Sequence, residues 1–269
     1  MRQERLIVVI TGASSGIGRK MAEHLTQCGY EVIGTSRKSD LQHPHYPLYQ
    51  LDVTSDASVA AFMEMLLSKH PRVGVLINNA GCGIAGPVED FSIDEVKEQL
   101  ESVFFGVLRM NKAILPHFRK QGGGTILNVS SLAAFISLPY QAPYSAGKSA
   151  LEAYVDALRM EVKPFGIQVA NINPADFRTG FTTNRRMVNQ VSAPYKEHFE
   201  KLLKRYEVDE KNGEDPIQVA RLVQKLIECD RPLKPRYLVG KSSQLIAVPV
   251  KKLIGDRLYE KLMLKYWKV

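Results

Sequence analysis

The sequence predicts a doubly wound α/β fold, a seven-stranded and mostly parallel sheet with helices on both faces. Two observations carry that expectation. Short apolar, β-branched runs alternate along the chain with amphipathic stretches of helical length, as strands and crossover helices do in parallel sheets. The runs are continuously apolar rather than alternating in polarity, as strands covered on both faces should be. A third feature concerns the site. In such sheets ligands bind beyond the carboxyl ends of the strands. Here the runs end in Thr11-Gly12, Ser36-Arg37, Asp52, Asn78-Asn79, Ser130-Ser131 and Asn173, which would then line one crevice.

The elements follow in order. "LIVVIT" (6–11) is the first strand and leads into the helical "GRKMAEHLTQCG" (18–29); "EVIGTS" (31–36) is the second strand. "YQLDV" (49–53) precedes the helical "ASVAAFMEMLLSKH", and "VGVLINNAG" (73–81) precedes a long helical region over 92–120. "GTILNVSS" (124–131) is followed, after a loop, by a helix opening near Tyr144; "IQVANINPA" (167–175) and "RYLVG" (236–240) are the last two strands. In "EDPIQVARLVQKL", Asp215 reads as a helix cap and Pro216 as the first helical residue. With no linker, repeat or low-complexity segment, the 269 residues read as a single domain, 1–269.

Composition narrows the function classes. Hydrophobic residues at 45% and charged residues at 24% are ordinary for a soluble globular chain. Cys28, Cys82 and Cys229, odd in number and far apart, make neither a disulfide framework nor a zinc set and fit a reducing, cytoplasmic compartment. Six scattered histidines show no ligand spacing, and no metal is expected. Only five apolar residues precede Thr11-Gly12, fewer than a signal-peptide core needs, and no run approaches the roughly 20 of a membrane span. The net charge of +8 is concentrated in the tail, residues 241–269, which holds seven basic and two acidic side chains. No stacking aromatic motif or helix-turn-helix pattern accompanies it, so nucleic acid is not an expected partner.

"TGASSGIG" (11–18) sits where the first strand meets the first helix. Glycines at 12, 16 and 18 let the backbone approach a pyrophosphate and the helix pack close to the sheet, while the helix N-terminus offers free N–H groups. Gly12, Ser14, Ser15, Gly16, Ile17 and Gly18 are therefore candidate cofactor residues. The second strand ends in neutral Ser36 followed by Arg37 and Lys38, where NAD binders tend to place a carboxylate. A carboxylate would repel a 2′-phosphate and arginine would hold it, which favours NADP(H). Asp52, beside Val53, is either an acceptor for the adenine amino group or an acid at a helix start.

"YSAGK" (144–148) places a phenol and an ammonium one helical turn apart on one face. A free tyrosine, with pKa near ~10, is a poor base at neutral pH. A lysine charge about 4 Å away, at an effective dielectric near 20, favours phenolate by roughly 4 kcal/mol. That is worth up to about 3 pKa units. Ser145, Ala146 and Gly147 leave room for a cofactor or a neighbouring helix. Ser131, thirteen residues earlier, ends the fifth strand, where its hydroxyl can hold a carbonyl or alcohol oxygen beside Tyr144; Ser130 should point the other way.

Together these pieces resemble the single-domain branch of the short-chain dehydrogenase/reductase family, over about residues 5–240. The resemblance rests on the TGxxxGxG loop, "NNAG" (78–81), Ser131 and the YxxxK pair; "VFFGVLRMNKAILPHF" is similar to hydroxysteroid and retinol dehydrogenase-like members. It implies a Rossmann fold and transfer of a hydride together with a proton. Tyr144 would be the general acid or base, Lys148 would bind the nicotinamide ribose, and Ser131 would orient the substrate oxygen. Asn79, Ala80 and Gly81 would support the adenosine side, and Pro174, Ala175 and Thr179, in "NPADFRT", would contact nicotinamide or diphosphate. It also implies a homodimer or homotetramer built on 92–120 and 144–163. Two positions depart from the family pattern. Val103 stands where the family has an asparagine of a water-linked proton relay, and Ala175 replaces a glycine. Either backbone carbonyls hold that water unaided or the relay is impaired.

The expected activity is NADP(H)-dependent interconversion of a ketone or aldehyde and an alcohol on a fairly apolar substrate. The alternatives are a catalytically weak cofactor-binding protein, kept open by Val103, and a sugar epimerase, disfavoured because the chain lacks a substantial C-terminal sugar domain. Residues 180–212 should cover the substrate. Phe181, Met187 and Tyr195 are candidate apolar contacts, while Phe199, Leu202 and Leu203 read as the buried face of a helix. The tail interleaves Leu, Ile, Tyr and Trp267 with lysine. It reads either as an amphipathic helix packed on protein or as a peripheral membrane contact.

Overall fold

The computed structural model describes residues 6–267; the basic start before Leu6 and Lys268 of the tail lie outside the described residues. In chain order the elements begin with β1 (Ile7–Ile10), α1 (Gly16–Gln27), β2 (Glu31–Ser36), β3 (Leu48–Gln50), α2 (Asp56–Lys69), β4 (Val75–Asn78) and β5 (Ile84–Ala85). Next come α3 (Ile93–Leu100), a π-helical turn (Glu101–Phe105), α4 (Gly106–Gln121), β6 (Gly124–Val129), α5 (Ala142–Val162), β7 (Ile167–Pro174) and β8 (Arg186–Met187). The chain finishes with α6 (Ala193–Lys211), α7 (Ile217–Ile227), β9 (Arg236–Val239), α8 (Ser242–Leu245), α9 (Ala247–Ile254) and α10 (Asp256–Trp267).

Seven strands form one sheet in the order β3-β2-β1-β4-β6-β7-β9, and every pairing in it is parallel. The sheet is thus wholly parallel rather than mostly so. Side-chain alternation splits each strand between two cores. Ile7 and Val9 of β1 join α2, α4 and α5 residues such as Phe62, Met110 and Leu151 on one face. Val8 and Ile10 join Met21, Leu25 and Val223 of α1 and α7 on the other. The strand order reverses between β1 and β4, which opens a crevice beyond their carboxyl ends.

Three local features differ from the sequence expectation. The run 49–53 is strand only to Gln50, because the Asp52 carboxylate accepts from the backbone N and the hydroxyl of Thr54, 2.9 and 2.8 Å away, and turns the chain into α2. The helical region 92–120 is interrupted. Ser92 and Glu95 start α3 with a reciprocal capping box, but at 101–105 the ladder slips to a π turn, with Gly106 N–H bonded to Glu101 O. A two-stranded parallel ladder, β5 with β8, ties the segment after β7 to the loop after β4, a pairing too short to show in a pattern of apolar residues. Asp215 does cap α7, its carboxylate accepting from Ile217 N at 2.9 Å.

Candidate active site

The glycine loop is held open by geometry that no side chain would tolerate. Gly12 and Gly16 have φ of +67° and +54°, the left-handed region that favours glycine. A Cβ on Gly12 would stand 2.9 Å from the Cα of Ala80. Asn79 clamps the loop from the neighbouring strand: its Nδ2 donates to the carbonyls of Thr11 and Gly12 at 3.0 and 3.1 Å. Thr11 Oγ1 in turn accepts from the backbone of Asn79 and Ala80 at 2.9 and 3.0 Å. Asn79 and Ala80 therefore shape the loop. Ser15 precedes α1 without capping it, so the first N–H groups of that helix have no side-chain partner and face the crevice mouth.

At the end of β2, Ser36 is buried and its Oγ accepts from Lys38 N at 3.1 Å, turning Arg37 and Lys38 out to solvent. Two cations next to a strand end, with no acid among Ser36, Arg37 and Lys38, suit an anion at the ribose. Val53 differs from the expectation in one respect: its side chain is in the core, against Gly106, so only its backbone is available to a ligand.

One buried face of α5 carries Tyr144, Lys148 and Glu152 at four-residue spacing. Tyr144 is 7% and Lys148 6% exposed. Lys148 Nζ donates to the carbonyl of Val129 at 2.8 Å, at the end of β6, and lies 5.9 Å from the centre of the Tyr144 ring. Ser131 caps a short turn, accepting from Ala133 N at 3.1 Å, with its hydroxyl beside the Tyr144 phenol. Ser130 is buried, and its Oγ has no hydrogen-bond partner among the described residues. The pKa relation expected from the sequence is reversed here. Burial pushes Tyr144 up, opposed by the Ser131 hydroxyl and the Arg185 charge, while burial brings Lys148 down to about 8, opposed by Glu152. The lysine is too far away and too desolvated to dominate the phenol.

Val103 is fully buried in the π turn, in a cluster with Tyr144 and Ala133. It packs on Gly147, where a Cβ would come 2.6 Å from Val103 Cγ2. That contact accounts for one small residue of "YSAGK". The position offers Tyr144 no side-chain hydrogen bond.

The segment after β7 forms the roof. The Phe181 ring lies 5.6 Å from that of Tyr144, whereas Met187 is exposed and the Tyr195 hydroxyl reaches Glu89 at 3.2 Å instead of the site. Thr179 faces the glycine loop, 3.7 Å from where a Gly16 Cβ would be, but its hydroxyl donates to Glu210 at 2.8 Å. Ala175 N donates to Val239 O at 2.9 Å, extending the pairing of β7 and β9 beyond Pro174. Phe199 and Leu202 are buried as expected, Leu203 only partly, and Tyr206, not foreseen, is the third buried side chain of α6.

Two buried polar systems were not visible in the sequence. Asn78 donates to Asn111 and Asn128 at 2.8 and 2.9 Å, and Asn128 to Asn171 at 3.1 Å, a ladder set by parallel register across β4, β6 and β7. Glu152 accepts from Asn173 at 2.6 Å and from Arg236 of β9 at 2.9 Å, and Asn173 also donates to the Ser131 carbonyl at 3.3 Å. The recurrence of asparagine in apolar strand runs was the available signal.

The family model described as short chain dehydrogenase matches residues 6–190. A 3-ketodihydrosphingosine reductase of Bacteroides thetaiotaomicron is 39% identical over 256 residues, covering 94% of this chain and 95% of its own. An NADPH-dependent 1-acyldihydroxyacetone phosphate reductase of Schizosaccharomyces pombe is 34% identical over 184 residues, 66% of this chain and 62% of its own. Among solved structures, a short-chain dehydrogenase from Streptomyces avermitilis superposes with a TM-score of 0.82 at 28% identity, covering 98% of this chain and 97% of its own.

Proposed function

The chain belongs to the short chain dehydrogenase family, a family of oxidoreductases that bind nicotinamide cofactors, and from that premise we propose the finer activity. It is an NADP(H)-dependent interconversion of a ketone or aldehyde and an alcohol on a fairly apolar substrate. The observation that carries this reading is the buried face of α5, which sets Tyr144 and Lys148 beside Ser131 at the carboxyl ends of the strands.

The residues present fit a dinucleotide. A cradle formed by positive-φ glycines, free amides at the start of α1, and two solvent-facing cations after β2 match a diphosphate and a 2′-phosphate. Gly12, Ser14, Ser15, Gly16, Ile17 and Gly18 would hold the diphosphate and Ser36, Arg37 and Lys38 the ribose phosphate. Asp52, the Val53 backbone and Gly81 would flank the adenine side, and Pro174, Ala175 and Thr179 the nicotinamide side. When bound, the cofactor supplies or takes the hydride. The Ser131 hydroxyl holds the substrate oxygen, and the Tyr144 phenol gives that oxygen its proton in reduction. Burial keeps the phenol protonated but makes it a weaker acid, and the Ser131 hydroxyl and the Arg185 charge oppose that rise. Lys148, as ammonium, donates to the Val129 carbonyl and would also bind the nicotinamide ribose of the cofactor. Phe181 closes over the phenol and keeps water from it.

The names of the two reductases above support reduction of a lipid-like ketone, and the NADPH of one name supports the reading of Arg37 and Lys38. A second reading is favoured by Val103. With an aliphatic side chain at the relay position, the protein could hold cofactor and turn over poorly. Oxidation of NADPH and NADH by long-chain ketones and aldehydes tests both readings, run beside Tyr144→Phe and Val103→Asn. The first reading requires NADPH turnover that falls about 10²- to 10⁴-fold in Tyr144→Phe. Cofactor binding without turnover, rescued by Val103→Asn, would establish the second.

A further inference from the structure

Arg185 lies in the roof, between Phe181 and β8, and its guanidinium is not paired. Nε and Nη1 are buried without a hydrogen-bond partner, and Nη2 donates only to Thr182 Oγ1, a long contact of 3.4 Å. Buried charges are ordinarily paired, because a desolvated cation without acceptors costs several kcal/mol. Both nearby acids are committed elsewhere. The Glu210 carboxylate accepts from Thr179 Oγ1, Phe181 N and Thr182 N, each at 2.8 Å, and Asp176 accepts from the Gln244 amide. Neither forms an ion pair with Arg185 among the described residues.

What surrounds the guanidinium is aromatic. It stands 6.0 Å from the centre of Phe181 and 5.3 Å from that of Tyr206, whose own hydroxyl is taken by the Pro139 carbonyl at 3.0 Å. Ring faces stabilise a cation, but they do not satisfy in-plane N–H donors. The charge also reaches the chemistry, since it pulls the Tyr144 phenol down against the effect of burial. Cofactor phosphates are not the missing partner on this geometry. The residue of this segment that faces the glycine loop is Thr179, and Arg185 lies beyond Phe181 on the phenol side.

We propose that Arg185 is the receptor for an oxyanion on the substrate, a carboxylate or phosphate carried a few bonds from the ketone. This deepens the proposed function and rests on it. The substrate is then an amphipathic keto acid or keto phosphate, with its anion on Arg185, its carbonyl at Tyr144 and Ser131, and its apolar part leaving past Phe181.

Four ketones with one alkyl chain and different heads test the assignment: phosphate, carboxylate, the carboxylate's methyl ester, and a primary amine. Each is assayed for NADPH-dependent reduction and for a thermal shift at saturating NADPH, with wild type, Arg185→Gln and Arg185→Lys. One or both anionic ketones should exceed the ester about 10- to 100-fold in kcat/KM, chiefly through KM. Arg185→Gln should abolish that preference, costing the anionic ketones about 10- to 100-fold more in kcat/KM than it costs the ester, and Arg185→Lys should restore part of it. The better of the two anions identifies the head group. A preference for the amine or ester, or an equal loss on all four ketones in Arg185→Gln, would overturn the assignment. If wild type reduces none of them, the thermal shift decides. Anion binding lost in Arg185→Gln keeps the receptor while the reductase reading fails, and no anion binding overturns the receptor as well.

Discussion

Gly147→Ala probes the contact that joins the catalytic helix to the π turn. The new Cβ would stand 2.6 Å from Val103 Cγ2 and 3.2 Å from Leu100 Cδ2. Carbon atoms pack best at about 3.5–4.0 Å, so α5 and the π turn must separate by roughly 1 Å. Overpacking of this kind costs about 1–3 kcal/mol, and the better helix propensity of alanine returns about 1 kcal/mol. The expected net loss is therefore about 1 kcal/mol, too small to interpret alone. A cycle with Val103→Ala makes it readable. That substitution deletes the methyls the new Cβ meets and, on its own, should cost about 1–3 kcal/mol by opening a cavity. In the double variant the Cβ fills part of that cavity, so the combined loss should fall short of the sum by about 1–2 kcal/mol. Urea midpoints of the four proteins give the coupling. NADPH turnover reads the same geometry, since a shift of 1 Å at Tyr144 can cost about 10²-fold in rate and should be partly recovered in the double variant. Additivity within about 0.5 kcal/mol, or a Gly147→Ala protein as fast as wild type, would refute the packing argument.

Three further outcomes are expected. Replacing Arg37 and Lys38 together with serine should raise KM for NADPH about tenfold or more while leaving NADH little changed, and equal effects on the two cofactors would remove the case for a 2′-phosphate site. In the free enzyme Lys148 titrates at about 8, so kcat/KM for cofactor should be level below that pH and fall as pH rises through it. Glu152→Gln removes the carboxylate that raises Lys148 and should move that limb to lower pH; a limb that does not move would show that Glu152 does not reach Lys148. The tail should bind anionic vesicles in a salt-sensitive way. Trp267 packs 5.1 Å from Tyr206 and Lys251 donates to the Phe135 carbonyl at 2.7 Å, yet Leu253, Leu258 and Leu262 are exposed beside Lys252, Lys261 and Lys265. Sedimentation of wild type but not of Leu258→Glu/Leu262→Glu is the expected result, and equal sedimentation of the two would assign the tail to its own domain alone. No helix among the described residues is long and apolar enough to cross a membrane.

The parts legible in the sequence are those whose cause is local. A buried parallel strand needs a short apolar run, and β1, β2, β4, β6, β7 and β9 stand where such runs are. The glycine loop was legible because only glycine fits its backbone, and the Tyr144–Lys148 face because helical spacing is fixed. The π turn was not, since one slipped hydrogen bond leaves the apolar pattern of 92–120 almost unchanged. The roof was only partly legible. Phe181 could be picked as an apolar contact, but Arg185 reaches the site through the pairing of β5 with β8, which brings together residues about a hundred positions apart.

The reversal at Tyr144 and Lys148 follows from a cost that spacing alone does not reveal. Four residues of helix put the two side chains on one face, and Coulomb attraction at that distance suggested a lowered phenol. The same face is buried, however, and burial acts on both groups against their charged forms. It raises the phenol directly, and it weakens the partner by making the ammonium easier to lose. With Val103 in place of a hydrogen-bonding side chain, the remaining charges that oppose burial are Arg185 above the phenol and Glu152 one turn beyond the lysine. The proton balance of the site is therefore set from its roof and from the far end of α5 as much as by the Tyr-Lys pair. Substitutions at Arg185 and Glu152 should accordingly change the pH profile, whereas Tyr144→Phe changes the rate at every pH.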